Sequence, residues 1–136
     1  MIRKSTIRYK ILRMNDADLK DLVDYPVENL GVELKEWVDL SDNVVRAKIA
    51  RHVAALANYG GGYLVFGFCD DGTVAGKRPP DLDSYNRDTF AAIVKKYLSP
   101  HFHCDVTAVP ASSDELYPIV RVPSHRSAPI CAKASA

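Results

Sequence analysis

No stretch of this 136-residue sequence approaches the roughly 20 consecutive apolar residues that a membrane-spanning helix needs. The opening MIRKSTIRYK also lacks the long apolar core of a secretory signal. Cysteine is scarce. Cys69, Cys104 and Cys131 are too few and too scattered for a disulfide framework, so reduced thiols in a cytoplasmic setting are expected. An excess of one charge is missing too. The 18 Lys and Arg stand against 17 Asp and Glu, a formal net charge of +1. That balance argues against a protein that holds nucleic acid by bulk positive charge. Repeats, low-complexity stretches and internal linkers are absent, so residues 1–136 are expected to form a single domain with one core.

What is present is charge segregated along the chain. Residues 1–13 carry Arg3, Lys4, Arg8, Lys10 and Arg13 and no acid. Residues 14–42 carry nine acids and only two bases, Lys20 and Lys35. Residues 43–68 carry Arg46, Lys48 and Arg51 and again no acid. A basic arm, an acidic segment and a basic helix follow one another. Arg3, Lys4, Arg8 and Lys10 of the arm, with Lys48 and Arg51 of the helix, are the candidate phosphate contacts. Tyr59, Tyr63 and Trp37 are candidate stacking partners for bases. Solvated faces and core aromatics would use the same residue types.

Element signals are spread along the whole chain. Asn15 or Asp16 caps a short helix that must stop before Pro26. Residues 31–37 alternate apolar and charged, the pattern of a half-buried strand with Val32 and Leu34 on one face and Glu33 and Lys35 on the other. Ser41 or Asp42 caps a helix to about Asn58, in which Val45, Ile49, Val53 and Leu56 form one apolar stripe; Lys48, Arg51 and His52 share another face. The glycines after Asn58 end it. Residues 63–68 are a continuous apolar run, hence a central strand covered on both faces. Asp70-Asp71-Gly72 signals a turn, with residues 73–76 returning as a hairpin strand. A helix over about 84–98 and two strands, 101–109 and 117–122, complete the reading. Residues 123–136, small and proline-containing, are expected to be a flexible tail. The fold class is α+β: a mixed β-sheet packed with two main helices.

Chemistry concentrates in the acids. A strand places Glu33 and Lys35 side by side. A carboxylate beside an ammonium suits metal-dependent phosphodiester cleavage: the acid holds the ion and the lysine offsets phosphate charge. Mg²⁺ takes one or two carboxylates and keeps several waters. Glu28 lies just upstream, and Asp70 and Asp71 lie past the end of the central strand. Should that strand neighbour the one bearing Glu33, these acids meet at one sheet edge. Glu-x-Lys also recurs by chance on solvated strand faces, and Asp-Asp-Gly is an ordinary turn. Other motifs fail. Residues 72–77 are one residue short of a phosphate loop, and Arg78 stands where Ser or Thr would bind Mg²⁺. His101-x-His103-Cys104 has no fourth ligand for zinc.

Taken in order, Glu28-Asn-Leu-Gly-Val-Glu33-Leu-Lys35, a basic helix ending Ala55-Leu-Ala-Asn58, and Gly61-Gly-Tyr-Leu-Val-Phe-Gly67-Phe-Cys-Asp70-Asp-Gly72-x3-Gly76 resemble the Schlafen-type Alba-like DNA-binding domain family. The likeness spans about residues 20–122. It implies a Schlafen/Alba-like core and a nucleic-acid partner, DNA or RNA. Bacterial members form the N-terminal part of transcriptional regulators. Related animal domains are ribonucleases that cleave structured RNA such as transfer RNA with Mg²⁺ or Mn²⁺, and their three acids match Glu28, Glu33 and Asp70, with Lys35 assisting. Those enzymes use two such lobes, so a homodimer is implied for a single one. Three functions therefore stand: a regulatory nucleic-acid-binding domain, a metal-dependent endoribonuclease, or a dimerisation scaffold without catalysis.

Overall fold

The computed structural model describes residues 14–125 and 129–133. Helix α1 (Asp16–Asp24) opens on a reciprocal cap: the Asn15 side chain accepts from the Asp18 N–H, and the Asp18 carboxylate accepts from the Asn15 N–H. It stops at Tyr25, the residue before Pro26. Strand β1 (Val32–Lys35) follows, then α2 (Asn43–Asn58), whose first turn is satisfied by the Asp42 carboxylate accepting from the Val44 and Val45 N–H groups. Strand β2 (Gly62–Phe66) is buried along its whole length. Helix α3 (Arg87–Tyr97) runs directly into the short β3 (Leu98–Ser99). Strands β4 (Asp105–Pro110) and β5 (Leu116–Val122) form a hairpin, and β6 (Cys131–Ala132) closes the described chain.

The main sheet has the order β1-β2-β5-β4. Strands β1 and β2 are parallel, while β5 is antiparallel to both β2 and β4. A parallel pair needs a long crossover, and α2 supplies it. The chain returns so tightly that a Cβ at Gly62 would collide with the Gly31 carbonyl, which leaves glycine as the residue that fits there. The sheet separates two apolar layers. On one face Leu64, Phe66, Val120 and Val122 pack against Ile49, Val53 and Leu56 of α2 and Phe90 and Ile93 of α3. On the other, Val32, Leu34, Tyr63, Val65 and Ile119 pack against Leu22 and Val23 of α1. The α+β class and mixed sheet are as expected, with α1 as a third helix beside the two main ones.

Four local readings differ from the sequence expectation, one of them the strand expected over 101–109, which runs from Asp105 to Pro110 and leaves His101 and His103 outside it. Residues 73–76 form no strand; a lone bridge joins Phe68 and Val74, because the Asp71 carboxylate takes both the N–H and the hydroxyl of Thr73 and curls the chain. Helix α3 begins at Arg87 rather than near residue 84, since Asn86 is the cap, its side chain accepting from the Thr89 N–H. Part of the expected tail is tied down. Asn58 donates its amide to the Ile130 carbonyl (2.9 Å) and accepts from the Ile130 N–H (2.8 Å), Ile130 is buried, and β6 pairs with β3.

Candidate functional site

Strand β1 lies at the edge of the sheet, so half of its backbone N–H groups face away from β2. Residues 28–30 turn back along this edge. Asn29 and Val32 form an antiparallel bridge, and the Leu34 N–H donates to Glu28 Oε2 (3.0 Å). The edge is thereby closed by the chain itself, and one of the plugs is a carboxylate. Glu33 and Lys35 pair with Leu64 and Phe66 and share their face of the sheet, the one covered by α2.

Helix α2 sets His52 between them. Lys35 Nζ lies 2.8 Å from His52 Nε2, and His52 Nδ1 lies 3.1 Å from Glu33 Oε1. An ammonium can only donate. His52 Nε2 must therefore accept, which puts the ring proton on Nδ1, where it is donated to Glu33. The imidazole is neutral in this arrangement, and its contact with Glu33 is a hydrogen bond rather than an ion pair. Burial holds the His52 pKa below its ordinary value, reinforced by the positive charges of Lys35, Arg51 and Lys48. Glu28 moves the other way. Burial raises its pKa first, and a hydrogen bond with Glu33 raises it further, against the opposing pull of the Leu34 N–H. The Glu28 carboxyl therefore takes up a proton more readily than a free one does. The result is a chain of contacts from Lys35 through His52 and Glu33 to Glu28. Outside it, Lys48 and Arg51 stand exposed on α2.

The chain has counterparts among known proteins. The family model described as Schlafen, AlbA_2 matches residues 28–135. The chain belongs to the Schlafen AlbA_2 family. Nineteen chains of solved structures match it. One is the solution structure of the N-terminal domain of a RecG-related protein from Nitrosomonas europaea, similar with a TM-score of 0.58 and 26% identity over 91% of this chain and 84% of that one. No curated protein matches.

Within this Schlafen AlbA_2 domain, Glu28, Glu33 and Lys35 lie along β1 and its entry, with His52 linking Lys35 to Glu33. Asp70 sits apart in the exposed turn after β2. Gly72 of that turn abuts the Pro26 carbonyl, on the segment leading to Glu28. Among the described residues, no three Asp, Glu, His or Cys side chains converge to hold a metal ion, so Glu28, Glu33 and Asp70 are not assembled as one ligand set. Two hard carboxylate oxygens nonetheless suit Mg²⁺ or Mn²⁺, ions that bind through one or two carboxylates and keep their waters. The rings of His101 and His103 meet edge to face at 6.2 Å. Arg3, Lys4, Arg8 and Lys10 lie outside the described residues. Of the three aromatics, Tyr63 is buried, Trp37 packs partly buried between Tyr85 and Tyr117, and Tyr59 alone stands in solvent.

His52 is the site residue that sequence reasoning did not assign. Its signal was present as a helix face shared with Lys48 and Arg51. What it faces depends on how α2 is rotated over β1, which neither pattern carries. No helix among the described residues is long and apolar enough to cross a membrane.

Proposed function

We propose that this domain binds nucleic acid across the face formed by α2 and the edge of β1, with Lys48 and Arg51 contacting phosphates. The observation that carries this reading is the pairing of two exposed cations with an acid pair that is internally offset. Lys35, Lys48 and Arg51 set three cations against the two carboxyls of Glu28 and Glu33, with a neutral His52 between Lys35 and Glu33. The surface therefore presents net positive charge although the whole chain is nearly neutral. Family membership and the likeness to the RecG-related domain, a helicase-related neighbour, support the same partner class. Such binding suits the regulatory role that the resemblance implies.

The test is oligonucleotide binding followed by fluorescence anisotropy across a salt series. Affinity should fall linearly in log–log form with salt. Replacing both Lys48 and Arg51 by alanine should lower the slope by roughly 1.5 to 2, as expected for two lost phosphate contacts. Absence of binding to any DNA or RNA at low salt would remove the proposal.

A second reading rests on the contact between Glu28 and Glu33. It makes the domain a metal-dependent endoribonuclease in which these two carboxylates hold Mg²⁺ or Mn²⁺ and Lys35 offsets charge on the scissile phosphate. The ion, when bound, would supply Lewis-acid activation and a template for the phosphate oxygens. Ion binding must overcome the raised proton affinity of Glu28. Manganese-dependent cleavage of transfer RNA that disappears in Glu33→Gln, with the circular dichroism spectrum unchanged, is the expected result. Cleavage that persists in the variant, or never occurs, leaves binding alone.

A further inference from the structure

We infer that the nucleic acid this face accepts is single-stranded, with an unpaired base seated on Tyr59; the inference rests on the binding reading above and deepens it. Lys48, Arg51, Ala55 and Tyr59 follow one another at steps of three, four and four residues, so they lie in one stripe along α2. All four are exposed. The stripe begins with cations and ends with a large aromatic that is 73% exposed.

The sheet adds a second apolar side chain at that end. Tyr59 closes α2 and leads through the Gly60–Gly61 turn into β2, whereas Leu30 leads into β1. The two strands are parallel, so both residues lie at the same end of the sheet, where Gly62 packs directly on Gly31. Leu30 is 80% exposed. Two large apolar groups thus stand in water at the end of a cationic track, and neither contributes to either core layer.

A double helix offers phosphates to the cations and stacks its bases inside, where Tyr59 and Leu30 cannot reach them. A single strand offers both at once: phosphates along Lys48 and Arg51, and a free base face for the tyrosine ring. Lys48 and Arg51 give electrostatic attraction without sequence preference, and stacking likewise tolerates any base. The surface is therefore suited to loops, ends or unwound segments rather than to a particular duplex sequence.

The experiment uses the full chain and a labelled oligouridylate of about 12 nucleotides, within the span of single-strand sites of this kind, beside a duplex RNA of equal length. The single strand should bind roughly ten-fold more tightly than the duplex. Tyr59→Ala should weaken single-strand binding by about ten-fold and leave duplex binding unchanged, while Tyr59→Phe should bind like the parent. Because Tyr59 is exposed, the alanine variant should melt at the parent temperature, which separates lost stacking from lost fold. Equal binding of duplex and single strand would overturn the inference. So would an unaffected Tyr59→Ala alongside a Lys48/Arg51 double variant that no longer binds, and in that case the broader binding function survives. Failure of every oligonucleotide to bind would remove both.

Discussion

His52 joins two side chains that the strand alone would leave merely adjacent. Its hydrogen bonds to Lys35 and Glu33 depend on a neutral ring with the proton on Nδ1, so acid should dismantle them. The folded-state pKa of His52 is lowered, so in the window between that value and 6.5 the unfolded chain binds the extra proton. The stability that His52 contributes is complete above about 6.5 and is lost as pH falls through the lowered value. Glu28 acts in the opposite sense. Its folded pKa is raised above 4.5, so its contribution is complete below that value and is lost as pH climbs through the raised one. Thermal melts from pH 5 to 8 should show stability rising across the histidine window, and His52→Gln should flatten that rise. A parent-like slope in the variant would show that His52 is not the titrating group. The acid pair makes a separate prediction. A divalent cation competes with protons for Glu28, whose pKa is raised, so Mn²⁺ affinity should increase with pH and binding on the acid side should release protons. Titration calorimetry in buffers of different ionisation enthalpy measures that release directly, and Glu28→Gln should diminish it.

At the scale of elements, the site depends on the fit between β1, α2 and β2. The Gly62 position leaves no room for a side chain against the Gly31 carbonyl. Gly62→Ala must separate the two parallel strands, at a cost of about 1–3 kcal/mol for overpacking a close contact. Chemical denaturation should report that loss, and nucleic-acid binding should fall with it, because Glu33 and Lys35 ride on β1. Asn58 has a comparable role at the far end of α2, where it holds Ile130 through two hydrogen bonds. Asn58→Ala should cost about 1–3 kcal/mol through the backbone groups it leaves unpaired. It should also expose residues 129–133 to limited proteolysis before the rest of the chain. Uniform cleavage throughout would mean that this segment unfolds only with the core.

For the molecule as a whole, near-neutrality and a basic surface coexist because the acids are held elsewhere or held together. Asp16, Asp18, Asp21 and Asp24 sit on α1, which packs on the sheet face opposite α2. The Glu28–Glu33 pair on the α2 side is offset by Lys35, with the neutral His52 between Lys35 and Glu33. Binding should therefore track substitutions on α2 far more than equal changes of net charge on α1. Asp18→Asn, which raises net charge by one, should alter affinity less than Lys48→Ala lowers it; anisotropy at matched ionic strength compares the two.

The elements themselves were written locally. Alternation from Val32 to Lys35 makes a strand with one charged face, the apolar stripe from Val45 to Leu56 makes a helix with one basic face, and the unbroken apolar run at β2 can only be a covered strand. Asp42 marks the start of α2 by the same local logic, as a side-chain acceptor for orphan N–H groups. These features rest on periods and caps spanning a few residues, so the sequence by itself determined them. Which charged residues meet was settled only by the tertiary structure. His52 and Glu33 lie 19 residues apart, and their contact depends on the rotation of α2 about its axis and its height over β1. Both are set by how Ile49, Val53 and Leu56 interlock with Leu64, Phe66 and Val120. The burial of Ile130 and the position of Asp70 were decided in the same way, because packing between distant segments is a property of the assembled core and leaves no period in the chain.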